Sequence, residues 1–381
     1  MSNYAVELAQ KLMQKKSVTP ENDGAIEFLA EELKGLGFKT EILKYSDQGS
    51  PEVSNLYAKY GESDKNLAFA GHTDVVPAGD ESKWTHPPFA SEIADNKLYG
   101  RGAVDMKAAI ACYIAATKEF LNDNQDFKDS LSFIITGDEE GVAINGTVKM
   151  VEELKNRQEK ISHCIVGEPT NPTKIGEMLK VGRRGSVNFT IKVIGTQGHV
   201  AYPENANNPI TSLVKLLNFL IDYPYDEGNE YFDPTNLEVT SIDVANPTTN
   251  VIPETASAKF NIRFNSEYQS QDIIEMITMA CDKVLGKYEI EHRVSGESFI
   301  NEDEEIKTIM VNSVKEVTGS EPKLSTTGGT SDARFIKDIC PCIECGLINK
   351  TAHQIDENIA LDDLIKLKDI YRKTIENYFP K

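Results

Sequence analysis

The sequence is short of cysteine, tryptophan and positive charge. It has 6 Cys and 1 Trp in 381 residues, and its 40 Lys and Arg stand against 60 Asp and Glu, which gives a formal net charge of −20. So few Cys over this length do not form the disulfide framework of a small secreted protein. A chain this acidic lacks the basic surface that nucleic acids and anionic membranes attract, so we expect neither as a partner.

Long apolar segments are also missing. No stretch is apolar for long enough to cross a bilayer, and residues 1–10, which include Glu7, lack the apolar core of a signal peptide. We therefore predict a cytoplasmic protein. Hydrophobic residues make up 40% and charged residues 26% of the chain, as in ordinary globular proteins, and the length favours two domains.

Half of the few cysteines lie close together near the C-terminus. Cys340, Cys342 and Cys345 could form part of a thiolate metal site. However, no second Cys pair or Cys-His pair completes a tetrahedral set of ligands. Because Ile343 and Leu347 alternate with these cysteines, a buried strand is the favoured interpretation.

Helical and strand patterns alternate in the first part of the chain. Amphipathic helices are predicted over residues 4–16 and 22–34, and strands over residues 39–45 and 53–60. Strands that alternate with helices indicate an α/β sheet.

Three further apolar runs each lead into side chains that can bind metals. The runs are Leu67–Ala70 before His72 and Asp74, Leu131–Thr136 before Glu139 and Glu140, and Cys164–Val166 before Glu168. A helix is predicted over residues 105–121, with Asp105 placed to cap its start. In α/β sheets the ligand crevice lies at the carboxyl ends of the strands. We therefore expect these six side chains to converge, although each fragment alone would suit a structural role.

The middle of the chain has a different pattern. Strands and helices are predicted in the order β-α-β-β-α-β over residues 186–194, 209–223, 237–244, 256–264, 270–285 and 288–294. This is the ferredoxin-like order. After it, a helix over residues 304–318, a strand near residues 343–348 and a closing helix from Leu361 resume the α/β pattern. We predict a discontinuous domain of residues 1–181 and 295–381, into which residues 182–294 are inserted.

The converging side chains suit two zinc ions. Zinc binds His nitrogen and carboxylate oxygen, and candidate ligands are His72, Asp105, Glu140, Glu168 and His353. Asp74, two residues after His72, can reach the imidazole and fix its tautomer. Glu139 adjoins a ligand and suits a general base that takes a proton from metal-activated water.

Seven segments resemble the motifs of the two-zinc aminoacylase–peptidase clan, and the resemblance covers almost the whole chain. They are GHTDVVPAGD (71–80), LYGRGAVDMKAA (98–109), TGDEEG (136–141), VGEPT (166–170), GRRGS (182–186), GHVAYP (198–203) and TTGGTSDARF (326–335). The resemblance implies a zinc-peptidase-like mixed sheet flanked by helices, with an inserted ferredoxin-like α+β domain that pairs two chains into a homodimer.

The same resemblance implies a role for each matching residue. Asp105 would bridge two Zn²⁺ ions, for which Co²⁺ could substitute. His72 and Glu168 would complete the ligands of one ion, and Glu140 and His353 those of the other. Glu139 would be the base and Asp74 would orient His72, while His199 would enter the active site of the partner subunit.

The substrate implied by the resemblance is anionic. Within the clan the motifs are most similar to those of desuccinylases, which implies cleavage of N-succinyl-LL-diaminopimelate. Because the chain is at −20, such a ligand needs a local concentration of positive charge. Candidate substrate contacts are Arg183, Arg184, Asn250, Arg263, Gly328 and Gly329, the glycines offering backbone N–H groups.

Two segments depart from the clan pattern. Asp95-Asn96 stands where Asp-Gly is common, and residues 351–357 around His353 are looser than usual. Acetylornithine deacetylase and other aminoacylases or dipeptidases therefore remain alternatives. A non-catalytic binding protein on the same fold would be expected to lack a ligand or the base, and the sequence has all of them.

Overall fold

A computed structural model describes residues 4–47 and 49–380. Its helices are α1 (Tyr4–Met13), α2 (Ala25–Gly35), α3 (Lys107–Asp123), α4 (Thr147–Asn156), α5 (Pro209–Ile221), α6 (Ser270–Val284), α7 (Glu304–Thr318), α8 (Ala333–Ile336) and α9 (Leu361–Tyr378).

The strands, also numbered in chain order, are mostly short. They are β1 (Lys39–Tyr45), β2 (Val53–Tyr60), β3 (Asn66–His72), β4 (Ile93–Ala94), β5 (Lys97–Tyr99), β6 (Ser130–Thr136), β7 (His163–Val166), β8 (Met178–Lys180), β9 (Gly182–Arg183), β10 (Gly185–Ile194), β11 (Gly198–His199), β12 (Asn236–Asp243), β13 (Val251–Ile252), β14 (Thr255–Phe264), β15 (Lys287–Gly296), β16 (Phe299–Ile300), β17 (Lys323–Ser325), β18 (Cys342–Glu344) and β19 (Asn358–Ala360).

The described chain forms two compact units. The first unit comprises residues up to 181 together with 301–325 and 331–380, and the second comprises residues 182–300 and 326–330. The second unit extends to Ile300 because β16 pairs with β9.

The first unit is built on a mixed eight-stranded sheet in the order β1-β2-β6-β3-β7-β18-β8-β17. In its centre β3 runs parallel to both β6 and β7, and every residue of these three strands is buried. Strands covered on both faces become continuous apolar runs rather than alternating ones. The carboxyl ends of β3, β6 and β7 therefore lie side by side, as the sequence predicted.

Helix α3 lies inside the first unit, against α1 and α9. Its first eleven residues are all buried, which matches its nearly continuous apolar sequence. The prediction that Asp105 caps this helix is wrong, since the N-cap is Met106 and makes no side-chain cap hydrogen bond. The Asp105 carboxylate instead lies 3.1 Å from the His72 imidazole.

The second unit has a four-stranded antiparallel sheet in the order β12-β14-β10-β15. Helices α5 and α6 pack against it, and burial alternates along β10 and β14 as expected for a sheet with one covered face. The predicted β-α-β-β-α-β order is confirmed, with the short strands β11 and β13 added as a separate pair.

Element ends differ from the sequence predictions by a few residues. Helix α1 ends at Met13 and α5 at Ile221, and β18 covers only Cys342–Glu344. All six Cys are free and buried. Within the part of the chain that the structure describes, no helix combines the length and apolarity needed to cross a membrane.

Candidate metal centre

The carboxyl ends of the central strands bring an imidazole and two carboxylates together. His72 is the last residue of β3, and its Nε2 lies 3.1 Å from Asp105 Oδ1 and 3.8 Å from Glu168 Oε1. Asp105 lies just before α3 and Glu168 just after β7. This is the convergence that the strand pattern predicted.

A second imidazole approaches the other side of Asp105. His353 Nε2 lies 2.8 Å from Glu140 Oε1 and 3.4 Å from Asp105 Oδ2. Asp105 therefore presents one carboxylate oxygen to each histidine. A carboxylate between two such groups is positioned to bridge two cations.

The orientation of His72 is set by the main chain. Its Nδ1 lies 2.9 Å from the carbonyl oxygen of Asp74, but 3.7 Å from the nearest carboxylate oxygen of Asp74. A carbonyl can only accept, so Nδ1 carries a proton, and Nε2, which faces Asp105 and Glu168, is the ring nitrogen left to bind a metal ion once it is deprotonated.

The Asp74 carboxylate holds the loop after β6. It accepts hydrogen bonds from the backbone N–H groups of Glu139 (3.1 Å) and Glu140 (2.9 Å). The fully buried Asp74 thus joins the end of β3 to the two glutamates. Burial raises its pKa to about 6.

Several carboxyl groups lie close together in this cluster, which makes it harder for each of them to ionise. Burial raises the pKa of Glu139 to about 8, helped by the nearby carboxylates of Asp332, Glu140 and Asp105. Burial and the carboxylates of Asp105 and Glu139 also raise the pKa of Glu168 well above its usual range.

The pKa values of His353 and Asp105 shift in the direction that favours their charged forms. Burial opposes ionisation of Asp105, but hydrogen bonds from His353 and His72 lower its pKa below the usual range. Hydrogen bonds to Asp105 and Glu140 raise the pKa of His353 to about 10. The charged form of each group is stabilised by an opposite charge nearby. A divalent cation can supply the positive charge that the carboxylates need.

The donor set fits metal ions. Ligand atoms of His72, Asp105 and Glu140 all lie within 4.8 Å of one another, and so do those of His72, Glu139 and Glu168. Glu168 Oε1 is buried and has no hydrogen-bond partner, which is costly unless a cation or another donor satisfies it. Imidazole and carboxylate donors together suit zinc.

The two histidines differ in exposure. The side chain of His72 is 1% exposed and that of His353 is 47% exposed. The His72–Glu168 subsite is therefore closed off, whereas the His353–Glu140 subsite opens to solvent.

Asp332 is a residue of this centre that the sequence argument did not single out. Its Oδ2 accepts a hydrogen bond of 2.6 Å from the Thr147 hydroxyl, while its Oδ1 is buried without a partner. It also contributes to the raised pKa of Glu139. In the sequence, Asp332 is indicated by its place in the TTGGTSDARF motif, five and four residues after Thr327 and Gly328.

Three arginines lie near one another in the second unit. Arg263 on β14 is opposite Ser186, and its Nη1 is buried without a hydrogen-bond partner. Burial lowers the pKa of Arg263, and the positive charges of Arg184 and Arg183 lower it further. Arg184 donates from Nη1 to Asn236 Oδ1 at 2.9 Å, but its Nε is also buried and unpartnered.

The glycine loop of the second unit supports Arg183. Arg183 Nη1 donates to the carbonyl oxygen of Gly329 at 3.0 Å. Gly328 has φ 104°, and a Cβ at this position would lie 2.7 Å from Arg183 Nη1. A side chain at residue 328 would therefore displace the guanidinium.

The remaining predicted contacts lie at the surface of the second unit. His199 and Asn250 are exposed. His199 Nδ1 accepts a hydrogen bond of 3.0 Å from the N–H of Ala201, and the carbonyl of Asn250 accepts one from Val200. The strand pair β11–β13 places these residues on neighbouring segments.

The fold and the ligand cluster together define a metallohydrolase of the peptidase type. Residues 68–377 match the model of peptidase family M20/M25/M40, and the chain belongs to this family. It shares the fold of the M20 family metallo-carboxypeptidase Sso-CP2 from Sulfolobus solfataricus, with a TM-score of 0.82, 19% identity and 99% of each chain covered. It is also similar in fold to the YXEP protein of Bacillus subtilis, a dinuclear metal-binding peptidase of the M20 family, with a TM-score of 0.71, 15% identity and coverage of 97% and 96%.

Relatives with higher sequence identity to this chain are desuccinylases. The chain is 48% identical over 378 residues to a succinyl-diaminopimelate desuccinylase of Pelagibacter ubique, covering 98% of both chains. It is 49% identical over 377 residues to the succinyl-diaminopimelate desuccinylase of Methylorubrum populi, covering 98% of this chain and 97% of that one.

Proposed function

We propose that the chain is a two-zinc amide hydrolase that cleaves N-succinyl-LL-diaminopimelate into succinate and LL-diaminopimelate, a precursor of lysine and the cell wall. The observation that carries the proposal is full-length identity near one half to two desuccinylases. The cluster of two imidazoles around Asp105 supports the same chemistry.

The proposed ligand assignment follows the two sides of Asp105. His72 and Glu168 would hold one zinc ion, Glu140 and His353 the other, and Asp105 would bridge them. Asp74 would fix His72 through its carbonyl oxygen. Bound zinc lowers the pKa of a water molecule toward about 7 and polarises an amide carbonyl.

Proton transfer falls to Glu139. Without metal, burial raises its pKa to about 8, and a neighbouring cation would favour the ionised carboxylate that a general base needs. Glu139 takes a proton from the attacking water and delivers it to the leaving amine. His199 of the partner subunit would donate a hydrogen bond to the carbonyl oxygen as negative charge develops on it.

Substrate carboxylates would be bound in the second unit. The buried, unpartnered Nη1 of Arg263 and Nε of Arg184 are donors that an anion can satisfy, and a guanidinium can hold a carboxylate through two parallel hydrogen bonds. Arg183, Asn250, Gly328 and Gly329 would complete the contacts. The enzyme would work as a homodimer in the cytoplasm.

The substrate is tested by comparing kcat/KM for N-succinyl-LL-diaminopimelate and N-acetylornithine. We expect strong preference for the succinylated compound, on the order of 10⁴ in favourable cases, because an acetyl group leaves a desolvated arginine unpaired. Arg263→Ala should reduce turnover of the succinylated substrate far more than that of the acetylated one. Arg372→Ala on α9, which removes an ion pair with Asp123, is the control.

The metals are tested in the same assay. Chelation should abolish activity, and zinc or cobalt should restore it. Equal or better turnover of N-acetylornithine would favour a deacetylase, and full activity without metal would contradict the metal mechanism.

A further inference from the structure

A buried ion pair lies behind the metal centre. Arg101 Nη1 contacts Glu357 Oε2 at 2.6 Å, and the two residues are 2% and 0% exposed. The guanidinium also lies over the ring of Trp84, 5.3 Å from its centroid. Replacing a buried ion pair with apolar residues is often neutral or stabilising, so the stability of the fold alone does not account for this pair.

Glu357 holds the backbone that carries Asp105. Its Oε1 accepts hydrogen bonds from the N–H groups of Val104 at 2.7 Å and Asp105 at 3.2 Å. The same carboxylate therefore binds Arg101 through one oxygen and the Asp105 segment through the other. Two backbone donors and a guanidinium fix its orientation.

Arg101 holds the backbone that carries His353. Its Nη2 donates to the carbonyl of His353 and its Nη1 to the carbonyl of Gln354, both at 3.4 Å. His353 has φ 62°, a left-handed conformation that non-glycine residues adopt rarely and that surrounding contacts must maintain. The guanidinium supplies two such contacts, to the carbonyls of His353 and Gln354.

We infer that Arg101 and Glu357 are positioning residues that set Asp105 and His353 at the separation needed to share one cation. Through this pair the backbones of the two ligands, 248 positions apart in sequence, are tied to one rigid group. The inference rests on the proposed metal centre. It concerns the His353–Glu140 subsite, since the contacts of the pair reach His353 and Asp105 but not His72 or Glu168.

The test is a Co²⁺ titration of the chelator-treated full chain, followed by visible absorption, for the wild type, Glu357→Gln and Arg101→Lys. Glutamine keeps an acceptor for the two N–H groups but loses the charge that binds Arg101. Lysine keeps the charge but cannot reach Glu357 and two carbonyls as a fork does. We expect the weaker Co²⁺ site to lose about 10–100-fold in affinity, the range usual for groups that orient metal ligands, and its absorption band to shift.

Glu159→Gln is the matched control. It removes the charge of a partly buried carboxylate that contacts Lys59 Nζ at 2.6 Å in the same unit, next to the amino end of β6 rather than the metal centre. Its Co²⁺ affinity and spectrum should equal those of the wild type.

Three outcomes would overturn the positioning role of Arg101 and Glu357. Wild-type Co²⁺ affinity and spectrum in folded Glu357→Gln and Arg101→Lys would overturn the positioning role while leaving the proposed function intact. Failure of both variants to fold in excess Co²⁺ would assign the pair to the stability of the fold and would also overturn it. A wild-type chain that binds no Co²⁺ would remove the metal centre and the inference together.

Discussion

Two adjacent carboxylates after β6 have different surroundings. Glu140 Oε1 contacts His353 at 2.8 Å, whereas Glu139 lies near His72 and Glu168 with a pKa raised to about 8 by burial. Asp74 binds the backbone N–H groups of both. The same anchor thus directs one side chain toward the open subsite and keeps the other beside the closed one.

This division predicts opposite phenotypes for two conservative substitutions. Glu139→Gln should keep its bound metal but lose turnover by on the order of 10²–10⁴-fold, because an amide cannot accept the proton. Glu140→Gln should lose metal from the open subsite. Metal content measured beside kcat separates them, with each variant serving as the control for the other, and equal metal content in the two would show that the roles are assigned wrongly.

The sequence predicted the residues at the ends of the central strands, and Asp74 beside His72, but not the Arg101–Glu357 pair. His72, Glu140 and Glu168 come directly after apolar runs, and the parallel pairing of β3, β6 and β7 brings their ends together. Arg101 and Glu357, by contrast, are 256 positions apart. Their contact depends on the tertiary structure, and no local pattern indicates it.

Among the elements, prediction was most accurate where a strand or helix has a clear boundary in the sequence. The bounds of β1, β2 and α7 match those predicted, since charged or turn residues flank their apolar patterns. The start of α3 was misplaced because Asp105 looked like a cap, although its carboxylate contacts His72 and His353. A cap and a metal ligand use the same residue type, so the sequence alone does not distinguish them.

Two elements of the second unit suit pairing with a second copy. Strand β12 is at an edge of its sheet, where unpaired backbone groups can extend the sheet of another chain. Exposed apolar side chains lie on this strand and on α5, with Ile242 56%, Val214 55% and Ile221 57% exposed. These features favour the proposed homodimer over a monomer.

The corresponding prediction is that the double variant Val214→Asp, Ile242→Asp is monomeric by light scattering. Charges at an apolar interface would have to be buried without partners, which opposes association. If His199 acts in the partner's site, this monomer should also lose activity. Met279→Asp, at the 71% exposed Met279 on α6, should remain a dimer. An active monomer would contradict the role of His199, and a variant that stays dimeric would place the interface elsewhere.

At the scale of the whole molecule, the acidic cluster links folding to protons and metal. The folded chain raises the pKa of Glu139 from 4.5 to about 8 and that of Asp74 from 3.8 to about 6, both chiefly through burial. Between the unfolded and folded values the folded state binds more protons than the unfolded state. Stability contributed by these protons is therefore complete at low pH and is lost as the pH rises through the folded pKa.

We therefore predict that the metal-free chain becomes less stable as the pH rises from about 4.5 to about 8. His353, whose pKa is raised from 6.5 to about 10, acts in the same direction above pH 6.5. The measurement is the urea midpoint in chelator at pH 6, 7 and 8, and Glu139→Gln should show a shallower decline because it has no proton to lose. Zinc should stabilise the wild type most at the highest of these pH values, since the carboxylates are then ionised and ligand binding to the folded state adds to its stability. A urea midpoint that rises with pH in the metal-free wild type would contradict the burial of Glu139 and Asp74 as protonated groups. It would also contradict the view that a cation is what allows this cluster to be charged at neutral pH.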